Sequence, residues 1–375
     1  MKKALILGTN AGQADIINYL NEQGWETHAC GYKKEGPGCD LAHYFHLVNT
    51  VDIEAVKALA KQIEADIIYS VSSDSAITAA TKASEQLGLP HLLDGAMIDL
   101  FNNKHEFREF LNRHDIGYTK YLMVNKDNKD NKATVEWDIF PCVVKPTNSQ
   151  GQRGVQLIYD KNDLNRAIEL AFDSGKDGEA IIEEYLDGAE FSTNVVVQNG
   201  EIVLNEFSDR IVFGTDYFGL PKGHRITVTY INPQQLDVAK SYVQKIVKNL
   251  NIEDAVLYIQ MKLKGSEPRV IEIAPRLDGC HIWRLIKHVR GVDLREFAIK
   301  CLLREKIDQS QYSGNFDGKG VLEFYHLPTT EKFELAKLPV KRNLKYNEYR
   351  YTDGQSIVPI NGRLEVVGYC IFEEK

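Results

Sequence analysis

Through the first ninety or so residues, short apolar runs alternate with amphipathic stretches. Ala4-Leu-Ile-Leu-Gly8, Thr27-His-Ala-Cys-Gly-Tyr32 and Ala65-Asp-Ile-Ile-Tyr-Ser-Val71 have strand character, while 12–23, 52–64 and 74–88 carry helical periodicity. Such alternation predicts a doubly wound parallel sheet. An amphipathic helix is expected over 103–113, followed by the polar insert at 125–132, which reads as a solvated loop. Beyond Phe140 strands dominate, with Asn199-Gly200 as a hairpin turn. A long helix over 233–250 precedes strands at 255–263 and 269–274, and another helix is expected at 292–304. From Gly320 onward the pattern is that of a small β-rich closing domain. The fold class expected is α/β and α+β: an N-terminal α/β unit, a body of two α+β subdomains, and the C-terminal β-rich domain.

Composition narrows this picture. The 375 residues, 43% hydrophobic and 26% charged, can bury a full core in two or three domains. A net charge of -8 argues against nucleic acid as the main partner. The six cysteines form no CxxC pair, so they read as buried reduced thiols. The N-terminal run is too short for a signal peptide and no run reaches membrane-span length, so no membrane partner and a cytoplasmic location are expected. The first turn, Gly8-Thr-Asn-Ala-Gly12-Gln13, lacks GxGxxG spacing and reads as an ordinary strand-to-helix turn.

Three stretches carry candidate chemistry. In the first, the strand at 140–145 ends in Lys145 and runs into a loop with Gln150, Gly151 and Gly154. Small residues let backbone N–H groups approach phosphate oxygens, and lysine adds the counter-charge, so the loop is either a phosphate cradle or a surface hairpin. It lacks the Walker order GxxxxGK[ST]. The second stretch, Glu183-Glu-Tyr-Leu-Asp-Gly-Ala-Glu190, is either a solvated strand edge or a set of nucleoside-binding groups. The third is Arg269-Val-Ile-Glu-Ile-Ala-Pro-Arg276, where Glu272 interrupts a β-branched run. Alternation places Glu272 and Ala274 on the face opposite Ile271 and Ile273. Gln260 lies twelve residues earlier across a Lys264-Gly265 turn, so a hairpin sets two oxygen donors side by side, a pair suited to magnesium beside nucleotide phosphates. Arg276 then lies close to the same place.

Lys104, the Lys145 strand with its glycine loop, the EEYLDGAE segment and the Gln260…Glu-Ile-x-Pro-Arg-x-x-Gly pair occur in an order that resembles the ATP-grasp superfamily, in its biotin-carboxylase-like and carbamoyl-phosphate-synthase-like branch. The resemblance covers nearly the whole chain and implies an N-terminal domain over 1–97, an ATP-grasp domain over 98–312 with a smaller subdomain at about 118–187, and a closing domain over 313–375. By the same resemblance, Lys104 and Lys145 contact ATP phosphates under the glycine loop, Glu183, Glu184, Tyr185 and Leu186 hold adenine, and Glu190 holds ribose. Gln260 and Glu272 ligate Mg2+, and Arg276 meets the transferring phosphate or the acceptor carboxylate. One departure stands out: Ala274 occupies the position where the family usually has asparagine, and Asp278 is the candidate for the missing oxygen. Lys222, His224 and Arg225 form either an acceptor-binding or an ordinary basic loop, and His281 and Arg284 are further acceptor candidates.

The activity implied is a ligase that activates a substrate carboxylate as an acyl phosphate for attack by an amine or ammonia, with release of ADP. A catalytically degenerate ATP-binding module is the alternative. The expected partners are a small carboxylate and an amine or ammonia donor, and a homodimer is allowed for. No second ATP-grasp half, obvious glutaminase segment or biotinylation segment is read in these residues, so a full carbamoyl phosphate synthase is not expected.

Overall fold

A computed structural model describes residues 1–374 apart from 127–135, 149–153, 176–177, 215–216, 218, 309–317 and 359–363. The chain opens with β1 (Lys3–Leu7), α1 (Ala11–Glu22), β2 (Glu26–Gly31), α2 (Gly38–Leu41), β3 (Tyr44–Leu47), α3 (Ile53–Ile63), β4 (Ile67–Tyr69) and α4 (Asp74–Leu87). The strands pair in parallel in the order β3-β2-β1-β4, the doubly wound arrangement that the alternation predicts. Side-chain caps start the helices: Asn10 accepts from Gly12 N, Asp52 from Ala55 N and Ser73 from Ala76 N.

Helices α5 (Gly95–Asn102) and α6 (Lys104–Arg113) lead into a small antiparallel sheet of β5 (Tyr121–Asn125), β6 (Cys142–Pro146), β7 (Gln156–Ile158) and β8 (Glu179–Glu184) in the order β5-β8-β6-β7. It packs against α7 (Lys161–Ser174) around Val144, Ile168, Phe172 and Ile182. Next come β9 (Glu190–Gln198), β10 (Glu201–Val212), β11 (Pro221–Ile226), α8 (Pro233–Asn249), β12 (Ala255–Lys264), β13 (Glu267–Ala274), α9 (Ile282–Arg290), α10 (Leu294–Leu303), β14 (Gly320–Pro328), β15 (Leu344–Tyr349) and β16 (Leu364–Glu373). The strands make one antiparallel sheet, β13-β12-β9-β10-β11-β14-β16-β15. The C-terminal strands thus join the sheet of the body through β14 against β11. Most of the polar insert read as a loop lies outside the described residues.

The large sheet buries both faces. One face shares a core with the N-terminal unit and with α9 and α10, so Ala274, Tyr258 and Val196 cluster with Leu5, Ile16 and Trp283. The other covers α8, with Ile259, Met261 and Ile273 against Val243 and Ile246. Sequence alternation expects Ile271 beside Ile273. A register shift in the β12–β13 ladder changes this: Val270 shares the buried face with Ile273, and Ile271 is left half-buried. Glu272 stays exposed on the opposite side.

Candidate active site

The site is built along the polar end of the large sheet. Gln260 stands directly opposite Glu272 in the ladder, and Ser192 on β9 stands opposite Gln260. The Gln260 Nε2 lies 3.4 Å from Glu190 Oε2, which leaves the amide oxygen for another partner. Among the described residues no three His, Cys, Asp or Glu side chains converge on one point. Two oxygen donors on adjacent strands fit a magnesium ion that takes its remaining ligands from phosphates and water.

Two lysines come from other elements, Lys104 from α6 and Lys145 from β6. Lys104, at the start of α6, donates to the Thr147 carbonyl at 2.8 Å. Burial, followed by the charge of Lys145, pushes its ammonium down to about 8, while Glu272 and Glu183 act in the opposite direction. Lys104 of α6 therefore lies in the fields of both Lys145 of β6 and Glu272 of β13. Lys145 Nζ is 2.6 Å from Glu183 Oε2, and Arg108 Nε donates to Glu183 Oε1 at 2.7 Å. Burial opposes the charge on Glu183, but Arg108 and Lys145 outweigh it and hold the carboxyl at about 2. Arg108 also donates to the Val270 and Ile271 carbonyls, which ties the small sheet to the β13 strand.

Glu183 is thus the buried counter-ion that fixes Lys145. Glu184 accepts from Lys120 N at 2.9 Å, and the Tyr185 carbonyl accepts from Lys264 Nζ at 2.9 Å. Leu186 is buried. Glu190 is also buried, paired with Arg210 and, at 3.2 Å, with Lys262. Gln150 and Gly151 lie outside the described residues. Gly154 does not: its φ is +73° and a Cβ there would meet Ser174 Cβ at 2.5 Å, so the loop returns through a point that only glycine fits.

The five acceptor candidates and one metal candidate have structural partners of their own. Lys222, His224 and Arg225, read as part of a loop, belong to strand β11. Gly223 makes this possible, since a Cβ there would run into the Leu322 carbonyl of β14. His224 is fully buried, and burial with the nearby Arg210 pushes its imidazole down to about 3, so it supplies no positive charge. Arg225 pairs with Glu374 at 3.0 Å and Asp209 at 3.6 Å, and Lys222 Nζ sits 4.5 Å from the Phe213 ring centre. Arg284 pairs with Asp15 of α1 and, at 3.4 Å, with Glu348, and so bridges the N-terminal unit to β15. Asp278 Oδ1 accepts from Cys280 N at 2.7 Å and Ile282 N at 3.0 Å and so serves the start of α9, while its buried Oδ2 has no hydrogen-bond partner among the described residues. His281, at the head of α9, stacks on Tyr369 with ring centres 4.7 Å apart.

Sequence reasoning missed Arg108, Lys262, Arg210 and Asp74. Two of these carry a readable signal. Arg108 follows Lys104 at i+4 on one helix face, and Lys262 follows Gln260 at i+2 on one strand face. Arg210 and Asp74 enter through tertiary contacts, with Glu190 and Arg276.

Comparison with known proteins agrees with this geometry. Residues 139–283 match the family described as ATP-grasp domain. The chain is 21% identical over 356 residues to the carbamoyl phosphate synthase large chain of Clostridium acetobutylicum, covering 90% of this chain and 33% of that protein. It is 29% identical over 209 residues to phosphoribosylamine–glycine ligase of Pyrococcus furiosus, covering 54% of this chain and 47% of that protein. The chain therefore spans between a third and about half the length of these relatives. Its fold superposes, at a TM-score of 0.81 and 16% identity, on the biotin carboxylase domain of Hydrogenobacter thermophilus 2-oxoglutarate carboxylase, solved with MgADP, ADP and bicarbonate, covering all of this chain and 86% of that one. In sequence, residues 139–283 are thus similar to the ATP-grasp domain, and in fold the whole chain is similar to that solved structure.

Proposed function

We propose that this chain is an ATP-dependent ligase that activates a small carboxylate as its acyl phosphate, with ADP as leaving group, for attack by an amine or ammonia. The observation that carries the reading is the register pairing of Gln260 with Glu272, with Lys104 in the fields of both Glu272 and Lys145. In this reading the division is the N-terminal unit over 1–97, the ATP-grasp body over 98–312 and the closing unit over 313–375.

Lys104 and Lys145 neutralise the triphosphate, with Lys145 held in place by Glu183. Gln260 and Glu272 would hold Mg2+, which would supply charge neutralisation to the nucleotide phosphates. Glu184, Tyr185 and Leu186 line the adenine side, at the passage from the small sheet to the large one. Arg276 meets the transferring phosphoryl group. The protein's contribution is positioning and preorganised charge.

Ala274 favours a second reading, an ATP-binding module that has lost turnover, because alanine offers no oxygen to a second metal position. The test is ADP release with a panel of carboxylates and amines, read with mass spectrometry of the coupled product. Release that depends on both substrates supports the ligase. ATP-dependent thermal stabilisation without ADP release from any pair supports the module.

A further inference from the structure

The N-terminal unit grips the chain just beyond β13 at three points. Arg276 Nε donates to Asp74 Oδ1 at 2.6 Å, and the terminal NH2 nitrogen of Arg276 lies 2.5 Å from the same oxygen. Ser72 Oγ donates to the Asp278 carbonyl at 2.8 Å, and Ser72 N donates to the Leu277 carbonyl at 3.3 Å. Ser72 has a φ of 59°, a left-handed conformation unusual for serine that turns its N–H toward residue 277. The first turn of α1 backs this arrangement, since a Cβ on Gly12 would lie 2.6 Å from Ser72 Oγ.

The guanidinium can be accounted for donor by donor. Of the five N–H groups of an arginine, one on Nε and one on NH2 go to Asp74, and one on NH1 goes to the Leu277 carbonyl at 3.0 Å. Among the described residues, what remains is one N–H on each terminal nitrogen, a pair able to meet two oxygens of one phosphoryl or carboxylate group. An unheld arginine has rotamer freedom that must be lost when it meets its ligand. Here Asp74, 202 residues away in sequence, fixes the side chain beforehand.

The geometry points to Asp74 as a positioning residue for Arg276, by which the N-terminal α/β unit sets the direction of the remaining arginine donors. This inference rests on the ligase reading and adds to it that the first domain is part of the catalytic apparatus. Asp74 works through Arg276 and touches neither nucleotide nor acceptor.

The test is a double-mutant cycle in the full chain, with Asp74→Asn, Arg276→Ala and the double variant followed by ADP release, calorimetric ATP affinity and melting temperature. Asn keeps the shape and one acceptor oxygen but not the charge. Asp74→Asn is expected to lower kcat roughly 10- to 100-fold with the KM for ATP nearly unchanged. The double variant is expected to be no slower than Arg276→Ala, because a residue acting only through the arginine has nothing left to position. A wild-type kcat in Asp74→Asn, or losses that multiply in the double variant, would overturn the assignment. A wild-type chain that releases no ADP with any substrate pair sinks the ligase reading first and this role with it, an outcome distinct from an active wild type with an equally active Asp74→Asn.

Discussion

Gln260 and Glu272 are directly opposed in the β12–β13 ladder, with the exposed carboxylate of one facing the half-buried amide of the other. An isolated exposed carboxylate contributes little to stability. Glu272→Gln should therefore leave the melting temperature of the nucleotide-free protein unchanged or slightly higher. If Glu272 balances magnesium and triphosphate, the same change should lower ADP release by roughly two orders of magnitude or more. Melting curves with and without magnesium-ATP, set beside turnover, check both halves.

The depressed ammonium of Lys104 sets a pH dependence. Burial, with Lys145 adding to it, lowers it from 10.5 to about 8, so the free protein loses this charge as pH rises through 8. The unfolded chain still holds the proton between about 8 and 10.5, so in that window this group favours folding more as pH rises. Phosphate binding acts the other way and restores the proton. ATP affinity should therefore fall from pH 7 to pH 9 with proton uptake on binding, and Lys104→Met should be weaker at pH 7 and flatter with pH. Calorimetry in buffers of different ionisation enthalpy measures the uptake.

Lys145 and Arg108 share one buried counter-ion, Glu183. Removing one member of a buried pair leaves an uncompensated charge, so Glu183→Ala should cost about 3–5 kcal/mol of stability. Lys145→Ala should stay folded, with Glu183 still paired to Arg108, and bind ATP more weakly. Denaturant unfolding of the two variants, together with calorimetry on Lys145→Ala, checks the division of roles.

Asp278 offers a sharper choice. Its Oδ1 serves the amides of Cys280 and Ile282. Asp278→Ala should thus lower stability by about 1 kcal/mol, as loss of a helix cap does, while the magnesium needed for turnover stays as in wild type. Ala274→Asn is the variant expected to lower that requirement. Magnesium titrations of the two distinguish cap from ligand.

The sequence was most informative where one element contains the whole signal. The βαβ alternation, the Asn199-Gly200 turn and the Gln260–Glu272 pairing are local patterns, and each corresponds to a feature of the structure. The site's counter-ions are another matter. Glu183 looked like a ligand because a carboxylate at a strand end has no visible partner until α6 brings in Arg108 and β6 brings in Lys145. Arg276 gave no hint of Asp74, and the Pro221–Ile226 strand was hidden by its glycine and its charges, whose partners Asp209, Glu374 and Phe213 lie on other elements. Helix α9 went unread because it follows a left-handed His281 that makes no side-chain cap of its own, and the carboxylate that serves its first amide, Asp278, lies earlier in the chain.

The pairing of β14 with β11 also sets the order in which this protein can be finished. During synthesis β11 leaves the ribosome nearly a hundred residues before its neighbour. Over that interval its outer edge is an open row of amides and carbonyls, the kind of surface that recruits strands from other chains. A nascent chain or fragment ending before β14 should accordingly self-associate, and slow, chaperone-sensitive maturation is the biogenetic cost of sealing the sheet with its last strands.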